Sequence, residues 1–252
     1  MARNCYHNMC FKGNYDCMIV LLNIERVYLK KLLFDQLLQL KNDFKFKNMD
    51  IKHGQLASSV FHDPESVKRH EDFNIRVYNL FEQYAKDIEN RYRQILTQQD
   101  ELKRNPIHYG AMSKYTKCYK TCEAILTIDI DNVPATDKFL ELFFQIQDLE
   151  SKEDMKFDPR KYKNVLAEFK HLLSPTDYNR VIKEFKHSIK LLLIEVLNCQ
   201  DKNMHTPLHI SSYYGDFKNS RLYTTLGATT TSAANAEAPL KVCKDRESRN
   251  VL

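Results

Sequence analysis

Tryptophan is absent from the 252 residues, and glycine and proline are scarce, at 5 and 7. So few chain-turning residues argue against a many-stranded sandwich and leave long segments suited to helices. No apolar run is long enough to cross a bilayer, so no membrane span is expected. The first residues, Met1-Ala2-Arg3-Asn4-Cys5-Tyr6-His7, lack the apolar stretch of a secretory signal, and a cytoplasmic location is expected. The seven cysteines fall among helical apolar positions, and reduced core thiols are expected rather than disulfides. No Gly-rich phosphate loop, nucleophile elbow or His-Glu-x-x-His helix occurs. Asp129 and Asp131 read as a solvated turn rather than an acid–base pair. No catalytic activity and no cofactor are expected.

The formal net charge is +5, with acidic residues interspersed among the basic ones. That balance does not argue for nucleic acid or an acidic membrane as partner. What is present is helical periodicity. Leu22, Leu29, Leu33, Leu37 and Leu40 form one stripe; Leu21, Tyr28, Leu32 and Leu38 widen it, and Arg26 lies off it. A second helix starts after His62-Asp63-Pro64 and carries Val77, Phe81, Tyr84, Ile88, Tyr92 and Ile95. A third is capped at Thr136 or Asp137 and carries Phe139, Leu140, Phe143, Phe144 and Ile146. A fourth follows Asp158-Pro159 with Tyr162, Val165, Leu166, Phe169, Leu172 and Leu173. A fifth is capped by Ser174 and carries Val181, Ile182, Phe185, Ile189, Leu192, Leu193 and Val196. The alternation from Leu126 to Asp131 is too short and isolated to argue for a strand, and Thr229 to Ala238 reads as a flexible loop.

One motif stands apart. Asp201 precedes Thr206-Pro207-Leu208-His209, Gly215 follows, and Gly227-Ala228 comes after it. Thr206 caps a helix, Pro207 sets its first turn, Leu208 enters the core, and the two glycines end helices where positive φ is needed. The pattern resembles the ankyrin repeat, a unit of about 33 residues. Weaker copies share its register. Asp100 precedes Asn105-Pro106-Ile107-His108, where the later glycine position holds Lys114 and Cys118 to Leu126 forms an outer helix. Asn4-Cys5-Tyr6-His7 is followed by Gly13 and the outer-helix run from Cys17 to Leu22. Ala238-Pro239-Leu240-Lys241 opens a fourth copy that stops at Val251-Leu252.

The resemblance implies an all-α chain: an ankyrin-type helical solenoid of about three to four repeats with inserted amphipathic helices. Its expected organisation is a first repeat over 1–23 and a helical insertion over 24–90. A second repeat region follows over 91–127, then an insertion over 128–185. A third repeat region covers 186–228, and a loop with a truncated fourth repeat covers 229–252. His7, His108 and His209 share one motif position, and their ring nitrogens are expected to bond neighbouring turns rather than a metal. Cys5, Cys10 and Cys17 near His7 lack a Cys-x-x-Cys knuckle and are expected to be buried thiols, as are Cys118 and Cys122. No metal site is expected.

Proteins of the resembled family bind other proteins through turn tips and the exposed edge of the inner helices. Carried onto this chain, that surface comprises Lys202, Asn203, His205, Tyr213 and Tyr214 in the third copy. The second copy contributes Arg104, Met112 and Ser113, and the first Phe11 and Lys12. The expected function is a non-catalytic protein–protein interaction scaffold. Two alternatives are a regulatory ankyrin segment of a larger kinase or ion channel, favoured by the truncated fourth copy, and a basic helical nucleic-acid-binding protein. The aromatic side chains between Lys156 and Lys190 sit at core spacing with lysines between them, which disfavours the latter.

Overall fold

Local chemistry accounts for the helix starts. The computed structural model describes residues 3–44, 64–112, 118–130, 162, 164–230 and 239, and among these all regular structure is helical. The helices are α1 (Cys5–Lys12), α2 (Tyr15–Asp43), α3 (Pro64–Thr97), α4 (Pro106–Ala111), α5 (Cys118–Leu126), α6 (Val165–Leu172), α7 (Pro175–Leu197), α8 (Pro207–Tyr214) and α9 (Phe217–Thr225). Prolines open α3, α4, α7 and α8, where the missing N–H costs nothing. Ser174 Oγ accepts from the Asp177 N–H at 3.1 Å and caps α7. The helix expected over Phe139 to Ile146, the Asp158-Pro159 start, Asp63 and the fourth repeat copy beyond Pro239 lie outside the described residues.

The chain divides into two compact units. The first contains residues 1–22, 90–129 and 187–252. In it α4 lies between α1 and α8, while α5 packs on α1, α4 and α9, and α9 packs on α8. The three short helices begin alike. Asn4, Asn105 and Thr206 hold extended backbone and accept from the N–H of His7, His108 and His209. Each histidine ring in turn receives the N–H of its cap residue, a reciprocal capping box. At their far ends Gly13 (φ 66°) and Gly215 (φ 70°) take the left-handed conformation that closes α1 and α8. The middle copy lacks that glycine: α4 ends at Met112 in a right-handed conformation, and Lys114 lies outside the described residues.

The second unit contains residues 23–89 and 130–186. Phe73, Val77, Phe81, Tyr84 and Ile88 of α3 are buried, as are Val165, Leu166 and Phe169 of α6. The Phe81 ring stacks on Phe169 at 5.4 Å and on Tyr178 at 5.2 Å. Such pairs contribute about 1 kcal/mol each beyond the area they bury. Lys41 of α2 forms an ion pair with Glu168 of α6.

Two expectations need correction. On α2 the buried stripe is Leu22, Leu33 and Leu37, with Asn23 and Arg26 buried beside it. Tyr28, Leu32 and Leu38 are exposed. At 3.6 residues per turn Arg26 falls on the line of Leu22, Leu29 and Leu33, whereas Tyr28 and Leu38 point well away from it. Among the thiols, Cys10, Cys118 and Cys122 are buried, but Cys5 and Cys17 are exposed. Cys5 is the first residue of α1 and Cys17 the third of α2, where a side chain leaning toward the helix start has no preceding turn to pack on.

Candidate functional site: turn tips and a cavity beside α8

The turns ahead of α4 and α8 are built by one aspartate each. Asp100 Oδ1 accepts from the N–H of Leu102 and Arg104 at 2.8 and 2.9 Å. Asp201 Oδ1 accepts from Asn203 and His205 at 2.8 and 3.0 Å. Both turns pass through a residue of positive φ, Lys103 (57°) and Met204 (64°). The turns also join each other. The Lys202 N–H donates to the Leu102 carbonyl at 2.9 Å, and Arg104 Nε donates to Asp201 Oδ2 at 3.0 Å.

The histidines extend this ladder. His7 Nε2 bonds the Arg104 carbonyl at 3.0 Å, and His108 Nε2 bonds the His205 carbonyl at 3.1 Å. The same interval of 97 residues separates the partners in each bond. A carbonyl only accepts, so Nε2 carries the proton and Nδ1 is the bare acceptor facing the cap N–H. Burial lowers the pKa of both rings, that of His108 to about 4. These histidines are therefore neutral structural donors at pH 7, as their shared position suggested.

Burial works against the charge of Asp201, but the His205 N–H, the Arg104 guanidinium and the Asn203 N–H outweigh it and hold its pKa below the usual carboxylate value. The Asp201 side chain is 1 % exposed and that of Arg104 18 %. Asp201→Ala leaves two turn N–H groups and a largely buried guanidinium without their acceptor. We expect a loss of about 2 kcal/mol, read as a lower urea midpoint with an unchanged slope. An unaltered midpoint would remove Asp201 from the account of this turn.

Five of the sequence-derived surface residues meet at one place. Arg104, Met112, His205, Tyr213 and Tyr214 line a cavity of about 180 Å³, together with His209 and Ile210. Tyr213 and Tyr214 are 47 % and 48 % exposed, with their rings perpendicular at 5.3 Å. Lys202 and Asn203 are exposed on the tip of the turn, outside the cavity lining. Phe11 and Lys12 lie elsewhere: the Phe11 ring meets Tyr109 edge-on at 6.1 Å, and the Lys12 ammonium stands 5.8 Å from the Phe11 ring. Ser113 lies outside the described residues. Ile210 escaped sequence reasoning because it is a buried core-type residue. The signal that could have found it is its alignment with the larger Tyr109, since each is the residue immediately after the motif histidine.

Among the described residues no group of three or more His, Cys, Asp or Glu is arranged to hold a metal ion. No described helix is long and apolar enough to cross a membrane. Comparison with protein-family models, with curated proteins and with solved structures finds no match to this chain.

Proposed function

We propose that this protein is a non-catalytic interaction scaffold built on an ankyrin-type stack of helix pairs. Another protein binds along its turn tips and inner-helix edge. The observation that carries the reading is the repeated histidine bond: each ring caps its own helix and donates to the turn of the next. A unit of this kind cannot bury its apolar side alone and relies on its neighbour, which is the physical basis of repeat arrays. The turns ahead of α4 and α8 also carry exposed basic groups, Lys103 and Lys202, and α8 carries the exposed Tyr213 and Tyr214. Tyrosine gives large contact area at small entropic cost and is enriched where binding energy concentrates.

The test is the double substitution Tyr213→Ala with Tyr214→Ala. Affinity capture with the purified chain, quantified by mass spectrometry, is expected to lose its specific partner by at least about 30-fold, the cost of one strong anchor residue. Circular dichroism is expected to stay unchanged. Retained capture, or a fall in helicity, would transfer these tyrosines from binding to packing and sink the proposal at this surface.

A further inference from the structure

The cavity beside α8 has a filled counterpart within the same unit. Around Tyr109, immediately after His108, the Arg3 guanidinium stands 4.4 Å from the ring centroid. His7 and Phe11 meet the same ring edge-on at 5.5 and 6.1 Å. The Tyr109 hydroxyl donates to Asp100 Oδ2. The ring is 1 % exposed. Every member of this cage has a counterpart one copy later in the chain. Arg104 precedes cap Asn105 as Arg3 precedes cap Asn4, and Met112 and Phe11 each stand four residues after the histidine of their own copy. Asp201 corresponds to Asp100, and Ile210 to Tyr109. An isoleucine does not fill the space of a tyrosine ring, and the open volume is lined by Arg104, Met112 and Ile210 together with the rings of His205, His209, Tyr213 and Tyr214. Among the described residues, the position that holds the Tyr109 ring in the earlier copy holds the smaller Ile210 in the later one.

We propose that this cavity receives one aromatic side chain of the partner protein. The proposal rests on the scaffold reading and specifies its partner. Size supports a single side chain: about 180 Å³ is below the ~300 Å³ at which cavities for whole small molecules begin. Chemistry supports a ring, because Arg104 stands at the equivalent of the cation over Tyr109, and a guanidinium is attracted to an aromatic face. A nucleic-acid base fits less well: the perpendicular Tyr213 and Tyr214 rings form no continuous stacking platform, and Asp201 already pairs with Arg104.

The decisive variant closes the cavity from inside. Ile210→Tyr restores at the later copy the residue type found at Tyr109. A displayed library of random twelve-residue peptides, panned on the full chain, is expected to enrich sequences containing Phe, Tyr or Trp. Synthetic versions are expected to bind Ile210→Tyr at least about tenfold more weakly, one aromatic contact's worth, with no fall in its melting temperature. If that variant loses helicity, Met112→Phe, which introduces the Phe11 residue type, serves the same comparison. Enriched peptides without an aromatic residue, peptides that bind both filled variants as well as the parent, or no enrichment at all would overturn the cavity assignment. So would tighter, steeply salt-dependent binding of a twelve-nucleotide oligouridylate. Partner capture that depends on Tyr213 and Tyr214 yet is unaffected by Ile210→Tyr leaves the scaffold standing and removes only this assignment; capture that depends on neither removes both.

Discussion

Acidification from pH 7 to pH 4 is expected to cost the folded chain about 3 kcal/mol through His108 alone. The ring is fully buried, and desolvation lowers its pKa from 6.5 to about 4. Between these values the unfolded chain binds a proton that the native chain does not. Stability therefore rises with pH through this window, is fully restored above about pH 6.5, and levels off for this group below about pH 4. His7, its pKa also lowered by burial, adds loss in the same direction. Urea unfolding followed by circular dichroism at several values between pH 7 and pH 4 measures the slope. In His108→Gln the side-chain amide still offers an N–H toward the His205 carbonyl but cannot titrate. That variant is expected to start less stable and to show a flatter pH dependence. Parallel slopes for parent and variant would show that His108 is not the titrating group.

Gly110→Ala is expected to destabilise the first unit by about 3 kcal/mol, the upper end of the usual cost of overpacking. A β-carbon at Gly110 would stand 2.1 Å from Cys122 Sγ and 3.7 Å from Cys10 Cβ. The second distance is ordinary contact; the first is impossible without movement. Cys122 is itself buried, with the Tyr223 hydroxyl 3.5 Å from its sulfur, so moving the thiol aside disturbs the packing around it. The cause is one atom, which makes the test specific. Cys122→Ala alone is expected to cost about 1 kcal/mol for the small void it leaves. The double variant Gly110→Ala with Cys122→Ala is expected to be more stable than Gly110→Ala alone. Additive losses in thermal unfolding would instead place the strain in the backbone of α4.

Much of the helical arrangement was legible because its signals are local. Pro64, Pro106, Pro175 and Pro207 each open a helix, and Ser174 and Thr206 cap the helices they were expected to cap. The stripe from Val77 to Ile95 is buried throughout, since a regular spacing on a long helix has one face to offer. Arg26 was misread because a charged residue was assigned to solvent by type, although its helical phase placed it with the leucines. Cys5 and Cys17 were misread in the opposite sense, a thiol's usual burial being taken as a rule.

The amino-acid order by itself determined the helical character, the capped starts of α4, α7 and α8, and the common placement of the three histidines three residues after their caps. Each of these depends on residues within a turn or two of one another. The cavity beside α8, the clash waiting at Gly110 and the neutral state of His108 were decided only by tertiary structure. They arise where side chains from separate helices and turns meet, and whether a gap, a contact or a dry interior results depends on how those surfaces fit together.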